Sequence, residues 1–139
     1  MEKSLVLIKP DAMERGLAGI IISRLEKLGL RLVAVKMLHL SKALAQRHYA
    51  IHKDKPFYNS LVSYISSAPI IACVFEGKGA VEFIRKAMGA TDPAKAEPGT
   101  IRGEFGVDIE KNTVHGSDSI ATAEEEIKLF FSKDEIFSY

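Results

Sequence analysis

The chain is predicted to fold as a single α+β sandwich, one sheet with helices packed on it. Short apolar runs of strand length alternate along the sequence with stretches of helical periodicity. A chain of 139 residues is long enough to bury a sufficient core as one domain. No repeat, low-complexity segment or long linker divides it, so residues 1–139 read as one domain. Four strands with helices between most of them suggest a sheet covered on a single face.

The elements follow in order. Ser4 to Ile8 is apolar and stopped by Pro10, which predicts a short buried strand. Leu17 to Leu28 places Leu17, Ile20, Ile21, Leu25 and Leu28 at helical spacing, with Gly29 as C-cap. Arg31 to Leu40 alternates as a strand, with Leu32, Ala34, Lys36 and Leu38 on one face and Val33, Val35, Met37 and His39 on the other. Ser41 caps a helix running to Tyr49, Pro56 breaks the chain, and Phe57 to Ser66 resumes helical spacing. Ile70 to Glu76 is the third strand and Gly79 to Met88 the next helix, with Val81, Ile84 and Met88 along one side. Gly89 to Gly103 reads as a long irregular segment, unusual in so small a domain and therefore a functional or subunit-contact candidate. Phe105 to Ile109 offers the fourth strand and Thr122 to Phe130 the last helix.

Composition narrows the function. The net charge is +1, from 19 basic and 18 acidic side chains, so no overall positive field recruits nucleic acid or an anionic membrane. No apolar run reaches the length of a membrane span, and the stretch after Met1-Glu2-Lys3-Ser4 is too short for a secretion signal. The single cysteine, Cys73, cannot form an internal disulfide, which fits a cytoplasmic location.

Chemistry is concentrated in Asn112-Thr113-Val114-His115-Gly116-Ser117-Asp118-Ser119, between the predicted last strand and last helix. Small residues after His115 would leave a ring nitrogen accessible; by itself the segment reads more readily as a surface histidine beside a Ser/Asp helix cap. Lys9 ends the first strand, Arg85 lies late in the third major helix, and Thr91 and Arg102 fall in the irregular segment. Each alone is an ordinary surface residue. Together they supply the forks and hydroxyl that bind a polyphosphate and neutralise a transferring phosphoryl group. Neither G-x-x-x-x-G-K-[ST] nor G-x-G-x-x-G is present, so arginines must replace a glycine-rich cradle. His39, His48, His52 and His115 show no zinc-site spacing, and no protein-held transition metal is expected. Tyr49 and Phe57 bracket the break between the two short helices, as core residues or, for Phe57, as a platform for a base.

Four segments in this order resemble the nucleoside diphosphate kinase family over essentially the whole chain: Leu7-Ile8-Lys9-Pro10-Asp11, His52-Lys53-Asp54-Lys55-Pro56-Phe57, Gly99-Thr100-Ile101-Arg102-Gly103, and Asn112 through Ser119. The resemblance implies a ferredoxin-like fold with a four-stranded antiparallel sheet, and homo-oligomers, hexamers in preference to tetramers. It also implies reversible transfer of the γ-phosphate from a nucleoside triphosphate such as ATP to a nucleoside diphosphate. The transfer runs through a phosphohistidine, with Mg2+ carried by the nucleotide phosphates and no metal ligands on the protein.

Position by position, the resemblance makes His115 the nucleophile. Lys9 and Asn112 meet the sugar 3′-hydroxyl and the reacting phosphate, and Arg85, Thr91 and Arg102 hold the phosphates. Tyr49 lies beside the histidine, Phe57 against one side of the base and Ile109 against the other, while Ser117 and Glu126 support the ring. A neutral imidazole attacks without prior loss of a proton, so its tautomer is what must be controlled. Glu126, directly or through Ser117, or a backbone carbonyl could take the proton on the other ring nitrogen. Stacking faces rather than hydrogen-bonding edges imply broad base specificity. Two departures stand out: Phe75-Glu76 where relatives often have tryptophan before the acid, and Ile51 where many are polar. A catalytically silent relative would have lost some of these residues. An RNA-recognition sheet would carry an aromatic K/R-G-F/Y motif that this chain lacks.

Overall fold

The computed structural model describes residues 1–139. In chain order it comprises β1 (Lys3–Ile8), α1 (Pro10–Glu14), α2 (Ala18–Glu26), β2 (Arg31–Leu38), α3 (Lys42–His48), α4 (Tyr58–Ile65), β3 (Ile70–Glu76), α5 (Ala80–Met88), α6 (Ile101–Phe105), β4 (Val114–Gly116) and α7 (Ile120–Phe130), with single 3-10 turns at Ala50–His52, Pro93–Lys95 and Lys133–Glu135. The strands form one antiparallel sheet in the order β2-β3-β1-β4, the ferredoxin-like arrangement.

Helices cover both faces of this sheet, not one. Leu5, Leu7, Ala72 and Val74 point to one side, against Ala45, Tyr49, Val62, Ile65, Ile127 and Phe130 of the α3, α4 and α7 layer. Val6, Ile8, Cys73 and Phe75 point to the other, against Ala12, Ile21, Leu25, Ala80, Ile84 and Met88. The sign of two-sided cover was already in the chain: Leu5 to Ile8 and Ile70 to Phe75 are apolar with almost no alternation, as central strands buried on both faces must be. Phe75 is fully buried, so its ring fills space in the second core.

Three elements depart from the expected pattern. In β2 the pairing with β3 slips between Leu32 and Ala34, and Val33 and Ala34 are both buried. An extra residue at a bulge breaks strict alternation and sends consecutive side chains inward. On α2 only Ile21 and Leu25, one turn apart, are buried; Ile20 faces outward and Leu28 lies beyond the helix end, and both are exposed. Gly29, at φ +86°, ends this segment in the left-handed conformation expected of it.

The third departure matters most for function. Phe105 to Ile109 is not a strand, because Phe105 closes α6, capped at its start by Thr100 accepting from Gly103 N at 3.1 Å. The irregular segment is therefore helical at its end. Residues 107–111 close as a turn, with Asp108 Oδ1 accepting from the backbone N–H of Glu110 (3.0 Å) and Lys111 (2.8 Å). The fourth strand is instead Val114–Gly116, paired with β1 so that His115 stands opposite Leu7. Alternation sends Val114 into the second core and leaves His115 on the opposite face. Gly116 lets this strand lie close on α5: a Cβ there would meet Met88 Sδ at 2.5 Å and Ile84 Cγ2 at 3.3 Å.

Entry into β4 is locked from α1. Thr113 is the one non-glycine residue with positive φ, +72°, a conformation that costs on the order of 1 kcal/mol or more. Its N–H donates to Asp11 Oδ2 at 3.1 Å, and its carbonyl accepts from Lys9 N at 2.8 Å. Asp11 Oδ1 in turn accepts from the Tyr64 hydroxyl at 2.6 Å, and that hydroxyl oxygen accepts from Asp11 N at 2.8 Å. Asp11→Ala strands a buried N–H and a hydroxyl together. The expected loss is about 2–3 kcal/mol, read as a lower urea midpoint at unchanged slope.

Candidate active site

At the end of β1, between α3, α5, α6 and α7, the chain encloses a cavity of about 430 Å3. Every candidate catalytic or nucleotide-binding residue of the sequence lines it except Ser117: Lys9, Tyr49, Phe57, Arg85, Thr91, Arg102, Ile109, Asn112, His115 and Glu126. Ser117 is fully buried behind it.

His115 reaches the cavity from β4, and its Nε2 lies 3.0 and 3.2 Å from the two carboxylate oxygens of Glu126. Glu126 comes from α7, whose Ala123, Ile127 and Phe130 are buried and fix the helix so that residue 126 faces the strand. Ser117 Oγ donates to Glu126 Oε1 at 2.7 Å and accepts from Leu5 N at 3.2 Å. Glu126 thus holds the ring directly, and Ser117 holds Glu126; no backbone carbonyl takes part. Burial alone would raise the Glu126 carboxyl, but the His115 hydrogen bond and charge and the Ser117 hydroxyl outweigh it and hold the carboxyl below its ordinary range. An ionised Glu126 accepts the Nε2 proton, leaving the Nδ1 lone pair without a partner in the protein. Glu126→Gln should lower kcat about 10- to 100-fold with KM for nucleotide little altered, since the lost interaction orients the ring rather than the substrate. Steady-state exchange kinetics read both parameters.

The cationic wall is unevenly solvated. Lys9 is buried, and its Nζ donates to Asn112 Oδ1 at 2.7 Å; burial, and then the Arg102 charge, push its ammonium down to about 8. Arg102 is also buried and donates to the carbonyls of Gly89 (3.1 Å) and Val114 (2.8 Å); burial, then Arg85, push its guanidinium down to about 10. It therefore ties β4 to the end of α5 as well as presenting charge. Arg85 is more open and paired with Asp118 at 2.6 Å, an exposed contact of small energetic value. Asn112 Nδ2 donates to the carbonyls of Thr91 (2.9 Å) and Ile109 (3.1 Å), so one side chain gathers Lys9, Thr91 and Ile109 around the cavity.

At the mouth, Phe57 and Ile109 are 46% and 64% exposed, apolar surface of the kind a planar ligand covers. Tyr49 is buried; its ring meets that of His48 at 4.6 Å between centroids, and His48 meets His115 edge-on at 4.6 Å. His48, not Tyr49, is the ring packed on His115. Sequence reasoning missed His48, although Ala45, His48 and Tyr49 mark the buried stripe of α3 at helical spacing. Asp11 and Thr113 were also missed. Asp11 stood inside a quoted motif, but only folding sets it beside Thr113.

Fold and cavity together define a nucleotide-handling phosphotransferase of the ferredoxin-like α+β class. The chain belongs to the nucleoside diphosphate kinase family, whose model matches residues 2–136. A nucleoside diphosphate kinase of Dehalococcoides mccartyi is 57% identical over all of this chain and 98% of its own length, and one of Archaeoglobus fulgidus is 53% identical over all of this chain and 92% of its own. Among solved structures, the Aquifex aeolicus nucleoside diphosphate kinase superposes with TM-score 0.95 at 40% identity, covering 98% of this chain and 99% of that one. A Halobacterium salinarum nucleoside diphosphate kinase in complex with CDP gives 0.97 at 46% identity, covering 99% and 92%. The chain is thus an enzyme acting on nucleoside triphosphates and diphosphates, chemistry consistent with a divalent metal. No helix is long and apolar enough to cross a membrane.

Proposed function

We propose that His115 Nδ1 takes the γ-phosphoryl group of a nucleoside triphosphate and passes it to a nucleoside diphosphate, as the ping-pong activity of the family requires. The observation that carries this assignment is the Glu126 contact to Nε2, which turns the other ring nitrogen into a cavity walled by Lys9, Arg85 and Arg102. As the phosphoryl group leaves one oxygen and bonds to Nδ1, negative charge spreads over its oxygens. Lys9 and Arg102, already desolvated, stabilise that charge without rearrangement. The developing positive charge on the ring is balanced by Glu126. Lys9 and Asn112 face the sugar 3′-hydroxyl and reacting phosphate, Arg85 and Thr91 the remaining phosphates, Tyr49 supports the histidine from beyond His48, and Phe57 and Ile109 sandwich the base. Flat apolar contacts favour many bases alike.

The groups facing the phosphates are cationic, and the acids lining the cavity are engaged, Glu126 with His115, Asp118 with Arg85 and Glu110 with the Ser60 hydroxyl. Such a wall fits Mg2+ arriving on the nucleotide's phosphate oxygens, where it neutralises charge, and offers no separate cage for it. A cytoplasmic setting is supported by the lone, buried Cys73 thiol. A homo-oligomer is supported by Val35 and Met37, exposed on the edge strand β2; the preference for a hexamer over a tetramer rests on the family resemblance alone, and light scattering after size exclusion gives the subunit count. Incubation with γ-labelled ATP and Mg2+ should label the protein in an acid-labile, base-stable form that unlabelled GDP removes as labelled GTP. Absence of label on folded protein would overturn the assignment.

A further inference from the structure

His48 has no role in the transfer just described, yet it is the least expected side chain in the cavity. Its side chain is 1% exposed, and neither ring nitrogen has a hydrogen-bond partner, an arrangement that costs the fold unless something meets them. With no partner at either nitrogen, the neutral ring keeps a lone pair uncommitted. Its Nδ1 lies 3.9 Å from Glu126 Oε2, which itself lies 3.0 Å from His115 Nε2. The three donor atoms all fall within 4.8 Å of one another.

We propose that His48, His115 and Glu126 form a site for a borderline-soft divalent cation of the zinc type, and that its occupation switches the enzyme off. Two neutral imidazole nitrogens and one carboxylate oxygen are a set such ions favour, whereas Mg2+ prefers octahedral oxygen and keeps its waters. A cation among the three atoms is within about half an ångström of ordinary zinc distances, which are roughly 2.0–2.1 Å to nitrogen. Ser117 holds Glu126 by Oε1, leaving Oε2 for the ion, and a water completes four-coordination from the cavity. The Glu126 charge offsets half of the ion's, and Lys9, which also faces this cluster, opposes binding.

The inhibition follows from the tautomer. At present Nε2 carries the ring proton toward Glu126 and Nδ1 carries the lone pair. A metal bond at Nε2 uses that nitrogen's lone pair, so the single ring proton moves to Nδ1. No proton leaves the imidazole and no electron is transferred. The nitrogen facing the phosphates then bears hydrogen and cannot attack. Sequence spacing gave no sign of this set, because its members sit on three elements, α3, β4 and α7, that only the sheet brings together.

The shut-off rests on His115 being the nucleophile, whereas metal binding does not, so the test reads each separately. Full-length protein labelled with 15N-histidine is titrated with Zn2+ in the absence of nucleotide, and the four imidazoles are followed by NMR. The ring signals of His48 and His115 should shift, the His115 proton should pass from Nε2 to Nδ1, and His39 and His52 should stay in place. In exchange assays at fixed Mg2+, the same Zn2+ dose should lower kcat at least 10-fold with KM unchanged, and chelator should restore it. His48→Phe, compared with its own zinc-free rate, should lose this sensitivity. Unmoved His48 and His115 signals at an inhibiting dose, or inhibition overcome by more nucleotide, would overturn the site. Shifted rings with undiminished turnover would leave the metal site standing and overturn His115 as the nucleophile.

Discussion

His115→Gln should abolish phosphoryl transfer, lowering kcat by at least about 10^4-fold, in line with removal of a covalent nucleophile. Glutamine roughly fills the imidazole's space but offers no ring lone pair with comparable nucleophilicity. Water cannot substitute productively, because the Glu126 carboxylate is placed to accept from a ring nitrogen 3.0 Å away, not to activate a solvent molecule on the phosphate side. The protein should stay folded. His115 is part-exposed, and outside the core such a change alters stability by about 1 kcal/mol or less. ATP should still bind, because Lys9, Arg85, Arg102, Phe57 and Ile109 are untouched. Unchanged nucleotide affinity with no acid-labile label is therefore the expected signature. Residual transfer to GDP above one part in a hundred would show that a second group carries the phosphate.

How legible was this site before folding? The candidate site residues could be picked out because they fall in short segments whose order is itself distinctive, and all but Ser117 line one cavity. The central strands were readable from their apolar runs. What failed falls into two kinds: one miss was local, a cap and a turn overriding strand composition, and the others depended on a partner far away in sequence. Phe105 to Ile109 has strand composition, but Thr100 caps a helix through Phe105 and Asp108 folds the following residues into a turn. Val114–Gly116 is too short to read as a strand until β1 is beside it. The bulge at Val33 and the second helical layer likewise depend on packing that local periodicity does not encode. Glu126 ended an acidic run that reads as a solvated face; only the juxtaposition of α7 and β4 makes it the partner of His115. His48 looked ordinary for the same reason.

Lys9→Met should separate what Lys9 does for catalysis from what it costs the fold. On the catalytic side, removing one desolvated charge from the path of the phosphoryl group should reduce kcat by about 10^2- to 10^3-fold. On the stability side, the folded ammonium titrates at about 8 against an ordinary value of 10.5, so burying its charge destabilises the native state below pH 8. Between pH 8 and 10.5 the unfolded chain holds a proton that the folded one has released, and stability from this group must rise with pH. The rise is at most about 3 kcal/mol. Cys73, pushed up to about 12 by burial, tilts the other way, since its unfolded thiol ionises first. The difference between wild type and Lys9→Met therefore isolates Lys9: their urea midpoints should converge as pH rises through this window. Methionine cannot replace the bonds to Asn112 and the Glu110 carbonyl, so its net gain at pH 7 is smaller than the desolvation it removes. Charge is needed to meet phosphate, and kcat/KM for ATP in the wild type should accordingly fall as pH passes about 8. The kcat limb should lie at higher pH, because bound phosphate holds the ammonium protonated. Parallel pH profiles of wild type and variant, or an alkaline limb that survives in Lys9→Met, would assign the titration to another group.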